Sequence, residues 1–324
     1  MEANNIVVLG GFANSGKAAV MDLLAEVDGY YYPKGGELRI ITDPDGIMSL
    51  DSALNDNWSV FQSDLAVKRY KRLINKLTNP NSWPYFRKNY NKIFTDQFRK
   101  LSEDYLNKLT DFSYKGVWVG INDPLYKLVY KLNFILKKRL LTYQKDIYYS
   151  FPFDSFYEIT RDYLDELVAC SLPQDKSDMI LVESLASLNP NKTLKYFNNA
   201  KMIVIHRDPR DSYCNLIKEF SNFFPKNVEH YIHLYRDMQL CSRKEQDSDH
   251  VLRINFEDLL FHYDEKRIEI LDFLNIDLER HKNARKRFNP DVSIKNFQIW
   301  KNFEAQEDIN KISLELSEYC YEKN

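Results

Sequence analysis

The sequence is most informative first in what it lacks. Only four of its 324 residues are cysteine, and Cys170, Cys214, Cys241 and Cys320 stand far apart, with no CxxC pair and no histidine spacing of a zinc site. They read as buried thiols in a reducing compartment, which argues against a disulfide framework or structural zinc. Charge of one sign is missing too. Lysine and arginine number 45 against 47 aspartates and glutamates, a formal net charge of -2. No overall field directs the chain to nucleic acid or a membrane, so any anion site has to be built locally. No apolar run approaches the ~20 residues that cross a bilayer. The opening Met-Glu-Ala-Asn-Asn has no basic region, and the apolar run Ile6 to Leu9 is too short for a secretory signal. The expectation is a cytoplasmic protein. Glycine is scarce at 9 residues, with no repeat, low-complexity tract or flexible linker, so a single domain over 1–324 is expected.

What is abundant is apolar and aromatic: 44% hydrophobic residues, with 22 Tyr and 20 Phe, enough for one large core. The chain opens with a buried strand, Ile6-Val7-Val8-Leu9, a Gly-containing turn and a helix from about Gly16 to Glu26 with Val20, Leu23 and Leu24 on one face. Further short apolar strands follow at Met179–Val182, Met202–Ile205 and Val251–Phe256, each trailed by a helical segment. Such alternation predicts an α/β, P-loop-type three-layer fold with a central parallel sheet. Residues 56–172 read as mostly helical, broken at Asn79-Pro80 and Trp83-Pro84, and form a large helical insertion.

The segment from Gly11 to Ala18, Gly-Phe-Ala-Asn-Ser-Gly-Lys-Ala, matches seven of the eight positions of the G-x-x-x-x-G-K-[ST] loop, between a strand and a helix. The backbone N–H groups of Gly11, Asn14, Ser15, Gly16 and Ala18 and the helix dipole would cradle a phosphate, with Lys17 as a mobile cation. Ala18 stands where nucleoside triphosphatases and kinases carry the hydroxyl that binds Mg2+. The alternative is a Gly-containing turn that binds nothing.

The segment Lys201 to Tyr213 brings a strand to Arg207-Asp208-Pro209-Arg210-Asp211 at a helix start. Asp208 suits the N-cap and Pro209 the first turn, and Arg207 lies at a strand's carboxyl end, where α/β sheets bind ligands. This segment resembles the 3'-phosphate-binding motif of the sulfotransferase superfamily, and the Gly11 to Ala18 loop is similar to that family's first motif. A third similarity lies in Ser293 to Lys301, where the family carries a basic loop followed by Trp-Lys. The resemblance is to bacterial members and spans about two thirds of the chain. It implies that 3'-phosphoadenosine 5'-phosphosulfate (PAPS) is the co-substrate, with Arg207, Asn215, Lys295 and Asn296 binding it and no metal required. Two positions depart from the pattern: Asn215 stands where a Ser is usual, and Asn14 where many members have their catalytic Lys. Lys17 is the cation left to face the leaving group.

No histidine precedes His206, so the base for an acceptor hydroxyl falls to a carboxylate. Glu37, at the start of a probable strand, resembles in its spacing the Glu of sugar-modifying relatives. Asp43 and Asp45, in Thr42-Asp43-Pro44-Asp45-Gly46, are alternatives, though that string is also turn chemistry. His206 reads as a packed residue. Glu183 resembles the acid of a kinase site, which keeps a P-loop kinase or triphosphatase, or a nucleotide-binding relative without catalysis, as competing readings. In the insertion, Trp58, Trp83, Tyr85, Phe86, Tyr90 and Trp118 alternate with Arg87, Lys88 and Lys92. They suit a glycan or glycoconjugate acceptor, or equally the insertion's own core. Nucleic acid is not expected as a partner, and Lys137-Lys138-Arg139 allows peripheral membrane contact without a span.

Overall fold

The computed structural model describes residues 5–34, 37–79, 89–118, 124–136, 143–152, 154–220, 222–245 and 247–322. The chain forms two compact units, one of residues 1–39 with 164–324 and one of residues 40–163. The described strands are β1 (Asn5–Gly10), β2 (Tyr30–Tyr31), β3 (Phe112–Gly116), β4 (Lys145–Tyr149), β5 (Asp178–Val182), β6 (Ala200–His206) and β7 (Val251–Asn255).

In the first unit five parallel strands form one sheet in the order β2-β5-β1-β6-β7. Central β1 pairs Val7 with Ile180 on one side and with Lys201 on the other. The inner strands are continuous apolar runs because helices cover both faces. Val7, Leu9, Ile180, Ile203 and Ile205 pack against Val20, Leu23 and Leu24 of the helix Lys17–Leu24 and against Leu259, Ile270 and Leu271. A second cluster gathers Phe12, Tyr213, Tyr231, Tyr235, Ile309 and Ile312. Strand order runs outward in opposite directions from β1 and β6, so the crevice beyond their carboxyl ends is where such a sheet takes its ligand.

One strand expectation fails. The segment beginning at Glu37 is not a strand: Leu38 N–H donates to Val182 O at 3.0 Å, and the chain then turns. The sheet edge is instead β2, two residues long, pairing Tyr30 with Asp178. Pro33, which has no N–H to offer a ladder, follows two residues later.

The second unit is built on the helices Val60–Thr78 and Phe98–Leu109, whose Tyr70, Phe98 and Tyr105 are buried with Tyr90. Beside these helices lies a strand pair that the sequence reading did not anticipate. β3 and β4 form an antiparallel pair in register from Phe112 opposite Tyr149 to Gly116 opposite Lys145. The stacked rings of Phe112 and Tyr149, 4.8 Å apart, form the kind of cross-strand pair that favours strand over helix. Gly35, Gly36, Trp83, Tyr85, Phe86, Arg87, Lys88, Lys137, Lys138 and Arg139 lie outside the described residues. Among the described residues no helix is long and apolar enough to cross a membrane.

Candidate functional site

The loop after β1 is held in a shape that few residues tolerate. Gly11 has φ 144°, Asn14 φ 59° and Gly16 φ 96°. A side chain at Gly16 would meet the Phe256 ring at 2.5 Å, and one at Gly11 would meet Ile205 O at 2.4 Å. Ser15 N–H closes the turn on Phe12 O at 3.1 Å. The helix Lys17–Leu24 begins here with no acidic residue in its first turn, so the positive end of its dipole meets the loop. Ala18 is exposed.

Arg207 leaves the end of β6 and ties three sequence segments together. Its Nη1 donates to Asn14 O at 3.0 Å and its Nη2 to Asn296 O at 2.6 Å, while the guanidinium lies 5.1 Å over the Phe256 ring. The Tyr235 hydroxyl donates to Arg207 O at 2.8 Å. Neutral carbonyls hold two of its N–H groups in place, and the Asp211 and Glu257 carboxylates lie near enough to interact with its charge. Asn14 Nδ2, Ser15 Oγ and Arg207 Nε, all buried, have no hydrogen-bond partner. Buried donors without acceptors are costly. Together with the loop amides they fit a group that brings anionic oxygens, as the phosphates of a nucleotide would.

The flanking carboxylates organise the backbone. Asp208 accepts from Arg210 N at 2.8 Å, from Arg210 Nε at 2.9 Å and from Tyr321 N at 3.0 Å, while its own N–H donates to Glu257 Oε1 at 2.9 Å. Asp211 accepts from Gln298 N at 2.8 Å and Trp300 N at 3.2 Å, which anchors the Ser293 to Lys301 segment to the helix Pro209–Phe220. Arg210 closes the arrangement by lying 4.3 Å over the Trp300 ring. Burial raises the Asp211 carboxyl to about 6 and that of Glu257 to about 7.

Lys17 curls back over its own loop, with Nζ donating to Gly11 O at 3.0 Å and Phe12 O at 3.1 Å. Burial pulls its ammonium down to about 8, against the Glu37 and Glu183 carboxylates, which favour the cation. Glu37 is half-buried, and Glu183 is buried at the end of β5. Asn296 contributes its backbone carbonyl to Arg207. Its side chain and that of Lys295 are exposed, and Asn215 is half-buried on the Pro209–Phe220 helix. Asp43 and Asp45 belong to the 40–163 unit. Asp43 is buried and accepts from Gly46 N at 2.9 Å, and Asp45, at φ 70°, donates its N–H to Ser49 Oγ at 3.1 Å. Burial and the nearby Arg243 and Arg253 lower His206 to about 4, so its ring is neutral at pH 7.

Two site residues escaped the sequence reading, Phe256 and Glu257. Their position just past β7 was the available signal, since Arg207 occupies the equivalent place after β6.

The 40–163 unit has a cavity of about 490 Å3 lined by Asp64, Lys68, Arg72, Trp118, Tyr143 and Lys145 among others. Asp64 is wholly buried and accepts from Lys68 Nζ at 2.7 Å, Trp118 Nε1 at 2.8 Å and Tyr148 N at 2.9 Å. Trp58 Nε1 donates to Ser150 O at 2.9 Å. Tyr90 is a core residue, against Phe94 and Phe98, and Lys92 is exposed.

Fold and loop define the class: an α/β protein with a P-loop-type turn at the carboxyl ends of adjacent parallel strands. Among the described residues no cluster of His, Cys, Asp or Glu is gathered to hold a metal ion. The chain belongs to the sulfotransferase family, whose sequence model, described as "Sulfotransferase family", matches residues 54–280, more than two thirds of the length. That span takes in the Arg207 segment and begins after the phosphate loop. No curated protein matches the chain. Among solved structures it is similar to the sulfotransferase domain from the Synechococcus PCC 7002 olefin synthase, at 15% identity over 100% of this chain and 97% of that one, with a TM-score of 0.40. Sulfotransferase STF9 from Mycobacterium avium is similar at 14% identity over 98% of this chain and 76% of that one, TM-score 0.40. Retinol dehydratase in complex with androsterone and inactive cofactor PAP is similar at 10% identity over 100% and 83%, TM-score 0.38.

Proposed function

We propose that this sulfotransferase takes the sulfuryl group of PAPS and transfers it in line, without a metal, to a hydroxyl or amine of a carbohydrate or glycoconjugate acceptor. The observation that carries the proposal is the Arg207 junction: one guanidinium joins the phosphate loop at Asn14 to the C-terminal segment at Asn296. Of its five N–H groups, those not given to the two carbonyls are free to receive the 3'-phosphate. The loop amides with Ser15 Oγ and Asn14 Nδ2 receive the 5' side, and Asn215, Lys295 and Asn296 add donors at the 3' side.

In this reading the acceptor oxygen forms its bond to sulfur as the bond from sulfur to the bridging phosphate oxygen breaks. The acceptor proton passes to a carboxylate, for which Glu37 is the first assignment and Asp43 and Asp45 the alternatives. Lys17 places its cation against the charge that develops on the departing oxygen. The chain acts as a single sulfotransferase domain in which the insertion at about 56–172 serves the acceptor. The aromatic and basic side chains Trp118, Tyr143, Lys68 and Arg72 suit a sugar.

The test is thermal stabilisation by adenosine 3',5'-bisphosphate and by ATP, each with and without Mg2+, on the native chain and on Arg207→Ala. Saturation at a hundredfold excess over Kd stabilises a protein by about 2.7 kcal/mol. The expected result is stabilisation by the bisphosphate without metal, lost in Arg207→Ala. A preference for Mg2+-ATP would replace this reading with a kinase or triphosphatase.

A further inference from the structure

From Pro124 to Lys145 the sequence carries six basic residues, Lys127, Lys131, Lys137, Lys138, Arg139 and Lys145, and no Asp or Glu. In a chain of net charge -2 this is a sharp local reversal. Residues 137–142 lie outside the described residues, so the structural argument rests on the helix Pro124–Ile135.

That helix buries none of its residues, although its side chains are predominantly apolar. Leu125, Leu128, Leu132 and Ile135 are 55%, 52%, 38% and 62% exposed, and Phe134 is 76% exposed. At the angular step of a helix the first four fall within an arc of about 80°, and Lys127 and Lys131 form the strip between Ile135 and Phe134. Tyr126, Val129 and Asn133, the half-buried positions, lie on a different side. Leu125, Leu128, Leu132 and Ile135 thus form an outward apolar arc with lysines along one edge, and the exposed Phe134 and Tyr130 lie beyond those lysines.

We propose that the helix Pro124–Ile135 docks the protein on an anionic lipid surface, its leucines and Ile135 entering the acyl boundary and its lysines meeting headgroup phosphates. An apolar arc with a basic edge is the pattern of a helix lying in the interfacial plane. Charge chooses this occupant over a second copy of the chain, because two such faces brought together would oppose Lys127 and Lys131 with lysines. The proposal is independent of the donor and acceptor assignments above.

Co-sedimentation of the full chain with vesicles of phosphatidylcholine alone, and with a third of the lipid replaced by phosphatidylglycerol, tests it. Binding is expected to the anionic vesicles only and to weaken as salt is raised. Each basic residue near such a surface contributes about fivefold in partition, so Lys127→Gln with Lys131→Gln lowers binding by about 25-fold. Leu128→Gln with Leu132→Gln abolishes it. Unchanged urea midpoints in both variants show that they remain folded. Failure of the native chain to bind anionic vesicles overturns the proposal. So does binding indifferent to both pairs of changes, or a concentration-dependent dimer that the leucine changes dissolve.

Discussion

Lys17 sits between opposing demands: the loop buries it, and Glu37 and Glu183 hold charge near it. In the proposed mechanism only the cation is useful. The apparent kcat/KM, which reports the free enzyme, should therefore fall as pH rises through about 8, where Lys17 loses its proton. Lys17→Arg should remove that alkaline limb. Lys17→Ala should cost about 10²–10³ in turnover, the scale of losing one preorganised charge-stabilising donor, with the melting temperature little changed. A Lys17→Ala enzyme with native turnover would remove Lys17 from the chemistry. Glu37→Gln should lower kcat by about 10²–10⁴, the scale of a general base, and leave bisphosphate affinity unaltered. Normal turnover would pass the role to another carboxylate. Lys17 could be singled out from local sequence, since its loop spacing is a backbone requirement. The task of Asp211 could not, because its carboxylate serves Gln298 and Trp300, almost ninety residues further along.

At the scale of elements, the strand-loop-helix unit depends on Gly16, which needs both a positive φ and an open face toward Phe256. Gly16→Ala should destabilise the protein by at least ~1–3 kcal/mol, the cost of a non-glycine residue in a sparsely populated backbone region, and should abolish bisphosphate binding. Phe256→Leu in the same chain should recover part of the stability, since it relieves contact but not φ. Equal stability of Gly16→Ala and the native chain, from urea midpoints, would refute the steric account. The strands β1, β5, β6 and β7 were legible because each is an apolar run that only a doubly covered sheet explains. β3 and β4 were hidden. Their residues are mostly exposed and polar or aromatic, and only their pairing makes them strands.

For the whole molecule, stability should carry the mark of two buried carboxyls. Glu257 titrates at about 7 against an ordinary 4.5, and Asp211 at about 6 against 3.8. Both bind a proton more tightly folded than unfolded. The stability they contribute is complete below their unfolded values and is lost as pH rises through about 6 and 7. Glu257→Gln, which keeps the side chain neutral, should therefore gain stability relative to the native protein as pH rises from 5 to 8. A difference in urea midpoint that stays flat across that range would show that burial does not govern Glu257.

The sequence by itself determined the parallel sheet, the glycine-bearing turn after β1 and the Arg207 segment, because each is written in contiguous residues whose local chemistry admits few conformations. Tertiary structure alone decided that Arg207 would join Asn14 to Asn296, that Phe256 and Glu257 would border the site, and that the chain after Glu37 would turn and not form a strand. Those outcomes depend on side chains meeting backbone across long separations, and no local propensity encodes such a meeting.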